Sequence, residues 1–146
     1  MSKGRQLSEF KLECSSATCT QGPAGAKVLS LNFTGEASAG YGMIVGTASI
    51  DIGKSGQIDF CAVSFKDNGD IGNASGSGYC RSAGQHRWTT QMHMYSSDGG
   101  VALAEGLLDL ATSTWTGKGF EWLADEVAPL PATHDRYRDW LSKGGV

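Results

Sequence analysis

The sequence predicts an all-β fold, a small antiparallel up-and-down barrel of about eight strands with a short C-terminal helix. Three observations predict it. Apolar and polar residues alternate with a period of two, turn-forming clusters punctuate the chain at short intervals, and glycines fall inside strands as well as between them.

The alternation is clearest between positions 28 and 34. Leu29, Leu31 and Phe33 form one face, and Val28, Ser30, Asn32 and Thr34 form the other. Successive side chains of a strand point to opposite faces, so this is a strand with one buried and one wet face. Such strands belong to antiparallel sheets. The same reading places strands at Gln6–Glu13, Lys27–Glu36, Tyr41–Ile52, Gln57–Lys66, Asp70–Tyr79, Gln85–Tyr95, Val101–Leu110 and Trp115–Trp122. Between them, Gly53-Lys54-Ser55-Gly56, Asp67-Asn68-Gly69 and Ser97-Asp98-Gly99-Gly100 supply residues that tolerate the positive φ of tight hairpins.

Glycines 42, 46, 72, 76 and 78 interrupt strand patterns, out of 21 in the chain. Interior glycines mark bulges and corners, which a closing sheet needs. They favour a barrel over a sandwich, although both share the strand pattern. The tail departs from it. Pro129 and Pro131 end the sheet region and Thr133 caps a helix over 133–143, placed on the outside of the barrel. Tyr137, Trp140 and Leu141 make its apolar stripe, and Gly144 and Gly145 stop it. No linker or repeat divides the chain, so residues 1–146 are expected to form one domain.

Composition bounds the function. Hydrophobic residues are 40% and charged residues 18%, with a net charge of −3 and a pI near 5.5. Lys and Arg form no basic stripe, so no nucleic-acid partner is expected. No basic amphipathic helix and no apolar run of about 18 residues occurs, so no membrane partner is expected either. The first ten residues lack the apolar core of a secretion signal, which predicts a cytoplasmic location and reduced cysteines. For a secreted chain, Cys14 with Cys19 and Cys61 with Cys80 would be candidate pairs, and Asn32 and Asn73 would stand in acceptor sequons.

Several catalytic signatures come near and fail. Gly53-Lys54-Ser55 lacks the upstream glycine of a phosphate loop, because position 48 is Ala48, and a strand follows in place of a helix. Gly72-Asn73-Ala74-Ser75-Gly76 misplaces its serine for a nucleophile elbow. His86, His93 and His134 complete no metal-ligand pattern, and Asp67-Asn68-Gly69-Asp70 lacks the distal Glu of a calcium loop. Neither a metal nor a cofactor is expected.

The segment Gln85–Tyr95 carries most of the information about a site. As a strand, it puts His86, Trp88, Thr90, Met92 and Met94 on one face and Gln85, Arg87, Thr89, Gln91, His93 and Tyr95 on the other. The first face, apolar with a few polar atoms, suits a ligand pocket. The same composition also serves as plain core. Ile58, Phe60, Ala62 and Ser64 offer lining from a neighbouring strand, though Val63 and Phe65 make its other face apolar too. Trp115, Phe120 and Trp122 add aromatics from the last strand. Glu105 shares a face with Val101, Leu103 and Leu107. Facing inward it would be a buried acid with a raised pKa, and facing outward an ordinary surface carboxylate. Arg81 and Arg87 flank a hairpin, either as an anion clamp or as solvated charges.

The layout of short strands, glycine corners and a C-terminal helix resembles lipocalin-type barrels. The N-terminal Gly-x-Trp pattern of that family is absent, since no Trp precedes Trp88. The resemblance is one of architecture and carries no function by itself. Three functions are expected from these features. The first is a module binding a small apolar or amphipathic molecule through His86, Trp88, Thr90, Met92, Met94, Phe60 and Trp115. The second is a small isomerase or hydrolase using His86, Glu105 and Arg87. The third is an interaction protein with a filled barrel, forming a homodimer by edge or face pairing.

Overall fold

The computed structural model of the chain describes residues 2–52 and 56–123. The expected helix over 133–143, and part of the turn at 53–56, lie outside the described residues. Eight strands follow one another as β1 (Ser2–Gln21), β2 (Lys27–Ala37), β3 (Gly42–Asp51), β4 (Gln57–Phe65), β5 (Ile71–Ser82), β6 (Arg87–Ser96), β7 (Val101–Asp109) and β8 (Thr114–Leu123). Each pairs antiparallel with the next, and β8 pairs with β1 to close the barrel. A single 3-10 turn at Pro23–Gly25 is the helical content of the described residues. None of their helices is long and apolar enough to cross a membrane.

The expected strands β2 to β8 occur with boundaries displaced by at most three residues. The first does not: β1 runs for 20 residues where Gln6–Glu13 was expected. The extension from Cys14 to Thr20 carries small and polar residues without large apolar alternation. Nothing local marks it as a strand; pairing with β2 makes it one. Phe10–Glu13 pairs on both sides, to β2 and to β8, so this stretch is the seam of the barrel. Register shifts at Cys14/Ser16, Lys3/Gln6 and Gln6/Ser8 bend β1 around the closing sheet, as bulges do.

Closure gives every strand two neighbours, although residues 16–21 of β1 pair with β2 alone and residues 2–9 with β8 alone. It also decides which face of each strand is inward. Leu29, Leu31 and Phe33 point in, as do Ile58, Phe60 and Ala62, which resolves the two-sided apolar pattern of β4. Glu105 points out, bonded to Lys3 Nζ at 3.3 Å. Its buried alternative is thereby excluded. Phe120 and Trp122 also point out. Lys3 lies 4.4 Å over the Phe120 ring, and His93 stacks on Trp122 at 3.8 Å. The expectation that both line the interior with Trp115 fails because 115 and the even positions have opposite parity along β8.

The turns at 22–26, 83–86 and 110–113 gather at one end of the barrel, and those at 38–41, 66–70 and 97–100 at the other. Gly69 and Gly99 adopt φ +91° and +89°, as hairpin glycines are expected to do. Ala39, His86 and Ser113 hold positive φ as well, at +62°, +63° and +54°. Such conformations cost an L side chain about 1–2 kcal/mol. At His86, the tight β5–β6 turn and the bond from Leu110 N to His86 O at 2.8 Å hold it there. His86→Gly is expected to raise stability by up to about 1 kcal/mol, read as a higher urea midpoint with an unchanged slope. A lower midpoint would show that the imidazole contributes more than the backbone strain costs.

Candidate functional site: a cavity in the open half of the barrel

The barrel interior is graded in side-chain size. Toward the end carrying the 83–86 and 110–113 turns, Leu31, Ile50, Ile58, Leu108 and Trp115 are almost fully buried and fill the lumen. Toward the other end, the inward positions are Ala37, Ala62, Ala74, Ala102, Ala104 and Gly119. Small side chains on a cylinder of fixed width leave space along the axis. The result is a cavity of about 280 Å³. Leu7, Phe10, Leu12, Ile44, Phe60, Met92, Met94 and Trp115 complete its apolar wall. Polar atoms come from Ser8, Ser64, Ser96 and Asp98.

Trp115 is the floor. Its ring meets Phe10 edge-on at 5.8 Å, Phe60 edge-on at 5.1 Å and Phe33 at a tilt at 5.2 Å. Edge-to-face contacts at these distances suit the quadrupoles of the rings. The indole N–H donates to Thr90 Oγ1 at 3.0 Å. Both residues are buried, Trp115 at 1% and Thr90 at 4% exposure. This bond satisfies the one donor of the indole and fixes which way the ring lies. Glycines make room for the wall. The Phe10 ring lies over Gly117, where a Cβ would stand 2.6 Å from its Cζ.

Of the residues expected from the sequence to hold a ligand, Phe60, Met92, Met94 and Trp115 come together on this cavity. Thr90 stands behind Trp115 as its hydrogen-bond partner. Trp88 points inward but packs against the filled half, opposite Leu108 and Ser82. His86 ends up in the β5–β6 turn, exposed and at the far end from the opening. Its assignment to the same face assumed that the strand begins before Arg87; the positive φ at His86 breaks that alternation. Ala62 and Ser64, expected as lining from β4, also face the cavity; sequence reasoning missed the other alanines, Ile44 and the early residues Leu7 and Phe10. The clustering of alanine at inward positions of β4, β5 and β7 was the available signal.

The groups proposed for catalysis do not converge. Glu105 is outside, His86 is at the closed end, and Arg87 pairs with Asp109 at 3.4 Å. Among the described residues, no group of three or more His, Cys, Asp and Glu side chains is placed to hold a metal ion. All four cysteines are free. Cys61 is exposed on the outer face and Cys80 is buried in the interior, so strand parity keeps that pair apart. A second depression, on the outer face of β3–β6, is lined by Thr47, Asp59, Cys61, Ser75 and Tyr95. It is a polar hollow on the open side of the sheet with no enclosing wall.

The chain matches no protein-family model, no curated protein and no solved structure.

Two measurements follow from the interior. Thr90→Val removes the acceptor of the buried indole N–H. It is expected to cost about 1–3 kcal/mol, seen as a lower urea midpoint; an unchanged midpoint would mean that the bond contributes nothing. Burial pushes the Cys80 thiol above its ordinary value of 9.0, opposed by a backbone hydrogen bond. The unfolded chain ionises this thiol first as pH rises, so the unfolded state binds fewer protons. Stability is complete below the unfolded value and falls as pH climbs from there through the folded value. Cys80→Ala is expected to flatten this alkaline decline in denaturation midpoints, and an identical decline in both proteins would assign it to other groups.

Proposed function

We propose that this protein binds one small, predominantly apolar molecule in the open half of its barrel. The observation that carries the reading is the cavity itself, a space of about 280 Å³ walled by aromatic, aliphatic and thioether side chains and reached from one end. Empty apolar space is costly, because the lining atoms lose dispersion partners. Six inward alanine and glycine positions kept small beside a tightly filled half would be a poor way to build a core, and a good way to build a pocket. An engineered apolar cavity of about 150 Å³ takes up benzene, so this one suits a ligand of roughly ten heavy atoms. Met92 and Met94 adapt their shape to an irregular ligand, while Trp115 supplies a rigid floor.

The architecture agrees with the likeness to lipocalin-type barrels, which hold their ligands in the same place. An interaction protein with a filled barrel fits less well, because only half of the lumen is filled. A small barrel enzyme is not favoured by any specific feature.

The test is calorimetric titration with 1-octanol, a neutral molecule of suitable size. Saturable one-to-one binding and a raised Tm are expected. Ala104 lies on the cavity wall at 8% exposure. Ala104→Met should therefore weaken octanol binding at least tenfold and leave Tm unchanged or higher, as cavity filling does. Absence of saturable octanol binding in the folded wild-type protein would overturn the reading. So would equal affinity in a folded Ala104→Met variant.

A further inference from the structure

We propose that the cavity selects its ligand by charge: its occupant is a small amine, with the apolar body in the lumen and the ammonium group at the rim beside Asp98. This rests on the reading that the cavity holds a ligand, and it adds the chemistry of the head group.

Among the described residues lining the cavity, Asp98 is the one with a formal charge, and no described Lys, Arg or His lines it. Its position is set by the β6–β7 turn. Oδ1 accepts hydrogen bonds from Ser96 Oγ and, at 2.9 Å, from Gly100 N. Ser96 and Gly100 line the same mouth. Oδ2 has no partner among the described residues. The two bonds hold the carboxyl below its usual range, with Lys66 acting on it through space more weakly. The group is therefore a carboxylate over the whole neutral range, with one oxygen fixed by the turn and the other open.

The rest of the rim has the same sign. Of its cations among the described residues, Arg5 is paired with Glu121 at 2.8 Å and Lys3 with Glu105 at 3.3 Å. Lys66 remains, against Asp67, Asp70, Glu36 and Glu9 on neighbouring turns and strand ends in addition to Asp98. A negative rim over an apolar, low-dielectric lumen draws cations toward the opening and repels anions. An anionic amphiphile such as a fatty acid would meet no cation on the cavity wall and a carboxylate at its exit. Tyr41 is also on the lining, and aromatic rings can attract ammonium groups.

The experiment compares octylamine, 1-octanol and octanoate by calorimetry at pH 7 and low salt, in the wild-type protein and in Asp98→Asn. Opposite charges attract at short range, and solvent screening at the exposed rim keeps the effect modest. Octylamine is expected to bind at least fivefold more tightly than octanol, and octanoate at least fivefold more weakly. Asp98→Asn should bring the three within about twofold of one another, as should added salt at around 0.5 M. Glu36→Gln, which removes a rim acid outside the cavity lining, should leave most of the preference in place. Circular dichroism confirms that each variant folds. Octanol binding with equal affinity for all three molecules, or with octanoate tightest, overturns the charge selection and leaves the pocket standing. A preference for the amine that survives in Asp98→Asn also overturns it. Failure of all three to bind removes the pocket and the inference together.

Discussion

The hydrogen bond from the Trp115 indole to Thr90, inside a ring of phenylalanines, is the contact on which the interior arrangement depends. It joins β6 to β8 across the lumen and ties both to β1, β2 and β4 through Phe10, Phe33 and Phe60. Five of the eight strands thus meet at one side chain. Above the ring the barrel is lined by alanine and glycine; below it by leucine and isoleucine. Without a fixed floor, the apolar side chains of the lower half would relax into the space above, because unfilled apolar volume is unfavourable. The cavity exists because a large, directionally bonded side chain stops the packing at that level.

Closure of the barrel is the second constraint. A closed sheet gives every strand two neighbours and shortens the edges that could template aggregation. It also turns strand parity into a division between lumen and solvent. The division accounts for the different fates of residues close in sequence. Trp115 is the floor of the cavity, whereas Phe120 and Trp122 cover the outside with Lys3 and His93. Cys80 is buried in β5, whereas Cys61 in the neighbouring β4 is exposed. The bulged strand β1 makes closure possible, bending so that its first half meets β8 and its second half β2.

The rim turns combine structural and chemical roles. In Ser96-Ser97-Asp98-Gly99-Gly100, the glycine at positive φ reverses the chain and the aspartate caps the turn. Anchoring one carboxylate oxygen in that cap directs the residue's charge to the mouth. Polar groups that stabilise a turn by local bonding lose little when they also face a ligand, since their position is already set.

Much of the fold could be read directly from the chain. Period-two alternation marked seven strands nearly to their ends, and Asn-Gly and Asp-Gly clusters marked two of the open-end turns, because both signals are local. The inward face of β6, with Thr90, Met92 and Met94, followed from the same alternation. What local pattern could not contain was decided by tertiary structure. The second half of β1 is a strand only because β2 lies beside it. His86 left the face of Met92 because its turn forced a positive φ. The face of β4 that points inward, and the outward placement of Glu105, depended on how the sheet closed. The cavity is the clearest case. Its alanines are individually unremarkable in sequence, and only the curvature of the closed sheet brings small side chains from five strands together, above an indole held in place by a threonine 25 residues away.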